Sequence, residues 1–149
     1  MDAVEAFAEL ARDYCETVDR AAELGRDLFL DTIEPKIARL YAAGAELGSP
    51  FAFKDEDGYE APPFRDHSIH TRLSELLGHD AESSLPLEIS LSVSLGDTYH
   101  DLRSGLAAFE DGHREAAAYE FAFGFREHWG YHAWEALAAI HSRRFPYHH

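Results

Sequence analysis

Residues 113–142 read HREAAAYEFAFGFREHWGYHAWEALAAIHS, and this stretch decides the fold. Its apolar residues recur at helical spacing, which predicts one long helix from His113 to about Ser142. The apolar positions fall on two opposite sides of that helix. One side holds Phe123, Gly130, Trp134 and Leu137, and the other holds Phe121, Phe125, His128 and His132. A helix that is apolar on both sides is typical of the buried centre of a bundle, so we expect this C-terminal helix to be central.

The segment that precedes this helix predicts a second helix antiparallel to it. Apolar residues alternate from Leu85 to Leu95, which by itself predicts a strand. A helical stripe also begins there and continues for five turns, with the members Leu91, Leu95, Thr98, Leu102, Leu106 and Phe109. We therefore predict a helix from about Leu91, capped by Ser90. The tight connection Asp111-Gly112 then joins the last two helices into a hairpin.

The first 47 residues predict two more helices. A helix from about Asp2 to Leu24 opens on a capping-box pattern and can end at Gly25. In the next segment Pro35 interrupts the apolar stripe, because proline lacks the amide hydrogen that a helix interior needs. We expect either a kink there or a short piece followed by a helix over residues 32–47.

The middle of the chain predicts a long loop and a short helix. Residues 48–66 carry three prolines, two glycines and the acidic run 55–57. Asp66 is expected to cap a helix that Gly78 ends, and residues 79–90 form a polar linker. Residues 143–149 are expected to be a frayed or disordered tail. The sequence thus predicts an all-α, single-domain bundle of about five helices over residues 1–149.

The charge of the chain excludes some partners. Twenty-eight acidic residues against 13 basic ones give a net charge of −15, which repels nucleic acid and anionic membranes. Such a surface either favours solubility in a salty cytoplasm or faces a basic protein. No apolar run is long enough for a membrane helix, so a cytoplasmic location is expected. Cys15 is the single cysteine, which excludes an internal disulfide.

The most interesting polar residues lie in the predicted hairpin. His128, His132 and Glu135 share one helical face, and Asp97 and Asp101 stack one turn apart. Counted outward from the turn, Asp97 lies level with His128. Two imidazoles and a carboxylate could bind zinc or another divalent metal, or an aspartate could orient a histidine for acid–base catalysis.

Plain structural hydrogen bonds explain the same residues without a ligand, and we favour them. Trp129 stands where an HExxH motif needs its glutamate. Asp97 lies off the apolar stripe, in a position open to solvent. No residue is therefore assigned a catalytic, cofactor or metal role from the sequence, and no cofactor is expected. The remaining histidines of interest are expected to be solvated, namely His67, His70, His148 and His149.

Trp129 is the candidate for an interaction surface. It points between the two apolar sides of the predicted helix, so we expect it to be partly exposed. A partly exposed tryptophan could anchor a homodimer or a protein partner.

Two short elements resemble a known family. They are Asp97-Thr98-Tyr99-His100-Asp101-Leu102, and Phe125 followed by His128-Trp129-Gly130, His132-Ala133 and Ala136-Leu137. Together they resemble the bacterial family catalogued as domain of unknown function 5063. The chain departs from the pattern before Asp97, where Val93 and Ser94 stand in place of acidic residues. The resemblance implies an all-helical fold and no particular activity.

Two functions from different classes remain open. The chain has no phosphate-binding glycine loop, dinucleotide fingerprint or G-x-S-x-G turn. We therefore favour a non-enzymatic protein–protein interaction or accessory module. The alternative is a metal-binding helical bundle, possibly hydrolytic, that uses His128, His132 and a carboxylate such as Asp97.

Overall fold

The structure, a computed structural model, describes residues 1–53, 59–60, 63–78 and 90–145. Within these ranges the chain is all-helical, as predicted. The α-helices are α1 (Ala3–Asp19), α2 (Ala21–Leu24), α3 (Arg26–Leu47), α4 (Ser68–Leu77), α5 (Leu91–Glu110), α6 (Arg114–Glu127) and α7 (Trp129–Arg144). The predicted count of about five is too low for the described residues, because the first and the last predicted helix are each divided in two.

Some predictions fall partly or wholly outside the described residues. The acidic run 55–57, the apolar positions 85–89, and His148 with His149 cannot be compared with the structure. Within the predicted loop 48–66, Pro50–Ala52 form one turn of 3-10 helix. The last helix continues to Arg144, into the segment expected to fray.

The N-terminal helices follow the predicted signals closely. Asp2 caps α1 by accepting a hydrogen bond from the Glu5 amide at 2.9 Å. The chain ends α2 at Gly25, whose φ of 84° suits glycine. Pro35 does not divide the next helix, since α3 is continuous around it. Pro35 faces solvent while Ile33 and Ile37 are fully buried, so packing offsets the hydrogen bond lost at proline.

Helix α5 forms the centre of the bundle and packs against α1, α4, α6 and α7. It begins as predicted at Leu91, where Ser90 accepts a hydrogen bond from the Val93 amide at 3.3 Å. Its buried side includes Leu95, whose carbonyl oxygen accepts a 2.7 Å hydrogen bond from the buried hydroxyl of Tyr14 on α1. The central position predicted for the C-terminal helix therefore belongs to α5.

The predicted long C-terminal helix is broken at His128. The backbone there has φ −148° and ψ −78°, outside the helical range, so α6 ends and α7 begins. The Trp129 indole is fully buried and donates a 2.9 Å hydrogen bond back to the Phe121 carbonyl of α6. Gly130 fits against the Phe125 carbonyl, where a Cβ atom would collide. The chain thus turns to bury one tryptophan instead of continuing straight.

This break overturns the prediction of two buried apolar sides. The rule that residues spaced by 3.6 positions share a face holds only within one continuous helix. Positions before and after His128 therefore do not share a face. Phe123 and Trp134 are 44% and 51% exposed, whereas Phe121 is buried. Trp129 was expected to be partly exposed and is fully buried, so it cannot anchor a dimer. The tryptophan available at the surface is Trp134.

Glycines make room for the Trp129 ring. A Cβ atom on Gly44 of α3 would lie 2.6 Å from the indole, and one on Gly124 of α6 would lie equally close. Phe7 of α1 packs on the same ring, with centroids 5.6 Å apart. Three helices therefore meet at one side chain. No described helix is long and apolar enough to cross a membrane.

The two tryptophans give a matched test of this packing. Trp129→Ala should lower the free energy of unfolding by about 3–5 kcal/mol, because it leaves a cavity in the core. Trp134→Ala should lower it by about 1 kcal/mol or less, because that side chain is half exposed. Urea unfolding followed by circular dichroism measures both. Equal losses would contradict the assignment of Trp129 as the buried member of the pair.

Candidate metal centre

A cluster of histidines and carboxylates lies where α5 passes between α4 and α7. Helix α5 contributes Asp97, His100 and Asp101, spaced so that all three project toward neighbouring helices. His70 comes from α4. The break between α6 and α7 provides His128, and α7 provides His132 and Glu135. The five residues singled out from the sequence are thus brought together, and two histidines that were not singled out as candidates join them.

Asp97 is the centre of this cluster. Its Oδ2 atom lies 3.2 Å from Nε2 of His132 and 3.9 Å from Nε2 of His128. The expectation that Asp97 is open to solvent is wrong, since its side chain is 27% exposed and lies among histidines. The His132 ring is 20% exposed and the His128 ring 51%. One edge of the cluster is therefore open to solvent, at His128.

The other nitrogen of His128 faces a second carboxylate. Nδ1 lies 2.7 Å from Oδ2 of Asp101. Because a carboxylate accepts hydrogen bonds, this contact fixes the ring proton on Nδ1 and leaves the lone pair on Nε2. The lone pair is thus directed at the same side of the cluster as Asp97.

His132 has the same orientation, with Glu135 in the role of Asp101. Its Nδ1 atom is buried without a hydrogen-bond partner, and the nearest carboxylate oxygen, Oε2 of Glu135, lies 3.7 Å away. Glu135 is itself held by a 3.1 Å hydrogen bond from the Ser94 hydroxyl. Ser94, which stands where the family resemblance led us to expect an acid, thus positions the carboxylate behind His132.

His70 approaches Asp97 from the opposite side. Its Nε2 atom lies 2.8 Å from Oδ1 of Asp97, so the expectation that His70 is solvated is wrong. The ring lies directly over Gly96, where a Cβ atom would be 2.6 Å from the imidazole. Sequence reasoning missed His70 because α4 and α5 are separated by residues whose path the periodicity does not predict. The available signal was Gly96, a glycine inside a helix and next to Asp97.

His100 completes this second side. Its ring centroid is 4.9 Å from that of His70, and its Nε2 atom lies 2.8 Å from the Asp66 carbonyl oxygen. The N-cap of α4 is His67, without a side-chain cap, so the predicted cap at Asp66 lies one residue too early. The Asp66 carboxylate instead accepts hydrogen bonds from the amide and hydroxyl of Ser68. Those hydrogen bonds lower the pKa of Asp66. The segment before α4 is thus tied to the cluster through His100.

Among the residues that the structure describes, two sets of three ligand atoms are close enough to hold an ion. One set is Asp97, His128 and His132, and the other is His70, Asp97 and His100. Within each set the ligand atoms lie within 4.8 Å of one another. Asp97 belongs to both.

A cavity opens beside the exposed edge of the cluster. It has a volume of about 290 Å³, and its lining includes His128, Asp101, Ser104 and Glu120. Burial raises the pKa of Glu120, and the negative charge of Asp101 raises it further. The cavity therefore brings together an imidazole, a carboxylate and a carboxyl group whose pKa is raised.

The comparisons agree with the fold and are silent on activity. The chain belongs to the family described as Domain of unknown function (DUF5063), whose model matches residues 1–146. It is similar to the crystal structure of protein BF1032 from Bacteroides fragilis, with a TM-score of 0.76 and 22% sequence identity. That similarity covers 95% of this chain and 92% of the other, and at this identity it shows the fold alone. No curated protein matches the chain significantly.

Proposed function

We propose that this protein binds a divalent transition-metal cation of the zinc type through Asp97, His128 and His132. One observation carries the proposal. Both histidines direct Nε2 at the same oxygen of Asp97, while Nδ1 of each faces a further carboxylate. Metal-binding histidines almost always donate their other ring N–H to a carboxylate, a backbone carbonyl or water, which fixes the tautomer and strengthens the ligand.

The spacing of the ligand atoms fits a small cation. Two ligands at about 2.05 Å from a tetrahedral zinc ion lie about 3.3 Å apart. The distances of 3.2 and 3.9 Å from Asp97 Oδ2 to the two imidazoles bracket that value. A rotation of the exposed His128 ring would bring the longer distance into range.

A metal-free network with a neutral His132 leaves one ring nitrogen unsatisfied. If Nε2 of His132 donated a proton to Asp97, a neutral ring would have its lone pair on Nδ1. That buried nitrogen would then face the Glu135 carboxylate, lone pair against lone pair. A buried acceptor left without a donor costs about 1–3 kcal/mol. A cation on Nε2 would instead place the proton on Nδ1, toward the Glu135 carboxylate, whose Oε2 lies 3.7 Å away and would have to move closer to accept it.

The ligand set also indicates the kind of site. Nitrogen ligands favour zinc and related metals over magnesium and calcium, which prefer oxygen. Three protein ligands leave a fourth position for water or substrate, the arrangement of catalytic zinc sites. His128 is the member of the ligand set that borders the 290 Å³ cavity, so the cavity adjoins the site at that residue. This arrangement supports the hydrolytic form of the proposal, in which the metal lowers the pKa of its bound water.

Metal titration of the untagged, chelator-treated protein tests the proposal. Isothermal titration with Zn²⁺ should show binding that is weakened at least about 100-fold by His132→Ala or Asp97→Ala, because each removes a direct ligand. Co²⁺ should give the visible absorption of a four- or five-coordinate site. Zinc should also raise the melting temperature of the wild-type protein, since it binds the folded state only.

His67→Ala is the matched control, because His67 is an exposed histidine at the start of α4, the helix that carries His70. It should bind Zn²⁺ like the wild type. The proposal is wrong if the wild type shows no saturable binding, or if the His132 and Asp97 variants bind as tightly as the control.

A second test addresses the outer carboxylates. Glu135→Gln should weaken zinc binding by about 10–100-fold, because the amide no longer holds Nδ1–H of His132 with a full negative charge. Glu127→Gln removes the same charge from an exposed position at the end of α6 and should have little effect. Equal losses from the two substitutions would attribute the effect to net charge and not to the contact behind His132.

We propose a protein-interaction surface as the second candidate function, centred on Tyr131 and Trp134. These side chains are 63% and 51% exposed, which is unusual for aromatic residues of this size. They border an open groove of about 450 Å³ whose lining also includes Tyr41 and Phe125. The net charge of −15 suits a basic protein partner with an apolar anchor for this groove.

Affinity capture with paired baits tests this second candidate. A partner that binds the groove should be recovered by the wild type and lost with Trp134→Ala, because an exposed tryptophan is the type of residue that dominates binding energy. Phe51→Ala, which removes another exposed aromatic side chain away from α7, is the control. Recovery of the same proteins by all three baits would contradict a role for the groove.

A further inference from the structure

We infer that the cluster is a two-cation site in which the Asp97 carboxylate bridges the metals. The inference rests on the proposed function and extends it. One cation would lie between Asp97, His128 and His132, and the second between Asp97, His70 and His100. The two sets of ligand atoms share no residue except Asp97.

The orientation of Asp97 is the first support. Its two oxygens face different histidines, with Oδ1 2.8 Å from His70 and Oδ2 3.2 Å from His132. A carboxylate that offers one oxygen to each side can hold two cations about 3.5–4 Å apart, the separation of two-metal sites in hydrolytic enzymes. A mononuclear site would use one oxygen and would leave His70 without a role in binding.

The local packing is the second support. Gly96 leaves the surface of α5 open where the His70 ring lies, and any larger residue would displace the imidazole from Asp97. Glycine inside a helix lowers helix stability by about 1 kcal/mol relative to alanine. The close approach of the His70 ring to α5 therefore comes with a loss of helix stability. His100 lies next to this ring, and its own ring is held against the Asp66 backbone.

The charges are compatible with two cations. Asp97, Asp101 and Glu135 lie in or behind the ligand set, and Glu120 lines the adjoining cavity. Three carboxylates and one bound hydroxide would balance the four positive charges of two divalent ions. The remaining surface is strongly acidic, which favours accumulation of cations near the site.

Counting equivalents of Zn²⁺ tests the inference. The full-length, untagged protein should bind two equivalents, and His70→Ala should bind one. Gly96→Ala should also bind one, because the added methyl group displaces His70 without removing any ligand. Alanine has a higher helix propensity than glycine, so Gly96→Ala should have the same circular dichroism spectrum and melting curve as the wild type. His67→Ala should keep both equivalents.

A magnetic measurement gives an independent readout. Two Mn²⁺ or Co²⁺ ions bridged by one carboxylate should show exchange coupling in electron paramagnetic resonance. His70→Ala and Gly96→Ala should convert that signal to the spectrum of an isolated ion. Repeating the zinc count after changing His148 and His149 to alanine excludes adventitious binding by the terminal histidines.

The outcomes separate this inference from the proposed function. One equivalent in the wild type, lost in His132→Ala and kept in His70→Ala, would overturn the second cation and leave the mononuclear site in place. Two equivalents that both persist in His70→Ala would also overturn it. Absence of saturable binding in the wild type would remove both proposals together.

Discussion

The enclosed indole of Trp129 is the constraint on which the rest of the structure depends. Its ring fits between Gly44 of α3 and Gly124 of α6, and its nitrogen donates to the Phe121 carbonyl. The chain breaks at His128, directly before this residue, and the indole is fully buried. The break rotates α7 relative to α6 and directs His128 and His132 at α5. Hydrophobic packing thus determines where the polar cluster forms.

Asp97 connects that packing to chemistry. A carboxylate at the meeting point of three helices is costly unless its charge is compensated, and four histidines surround it. Carboxylates lie behind two of those rings, so His128 and His132 each lie between two carboxylates, a set of acids that a bound cation would compensate. This arrangement is what distinguishes the cluster from an ordinary buried histidine–aspartate pair, and it is the physical basis of the proposals for cations.

The sequence correctly predicted helix boundaries that depend on nearby residues. It did not predict features that depend on tertiary packing. The cap at Asp2, the start of α5 at Leu91 and the all-α class needed only nearby residues, and all three are confirmed. The break at His128 could not be predicted, because it results from contacts of Trp129 with a helix 85 residues earlier, at Gly44. The same limit applies to the cluster. Spacing along one hairpin related Asp97 to His128 and His132. His70 lies on a separate helix, and the periodicity of the sequence does not predict where that helix packs.

Gly124 has a consequence for how variation in this family is interpreted. A Cβ atom on this residue would contact the Trp129 indole on one side and would lie 3.6 Å from the Asp101 carboxylate on the other. The hydrophobic interior and the cluster are therefore separated by the thickness of one backbone. In homologues with a larger residue at this position the indole must move, whereas the Asp101 carboxylate would stay in ordinary van der Waals contact, so residues 124 and 129 are expected to change together across evolution. A loss of metal binding caused by a substitution here would reflect displaced packing even though no proposed ligand atom had been altered.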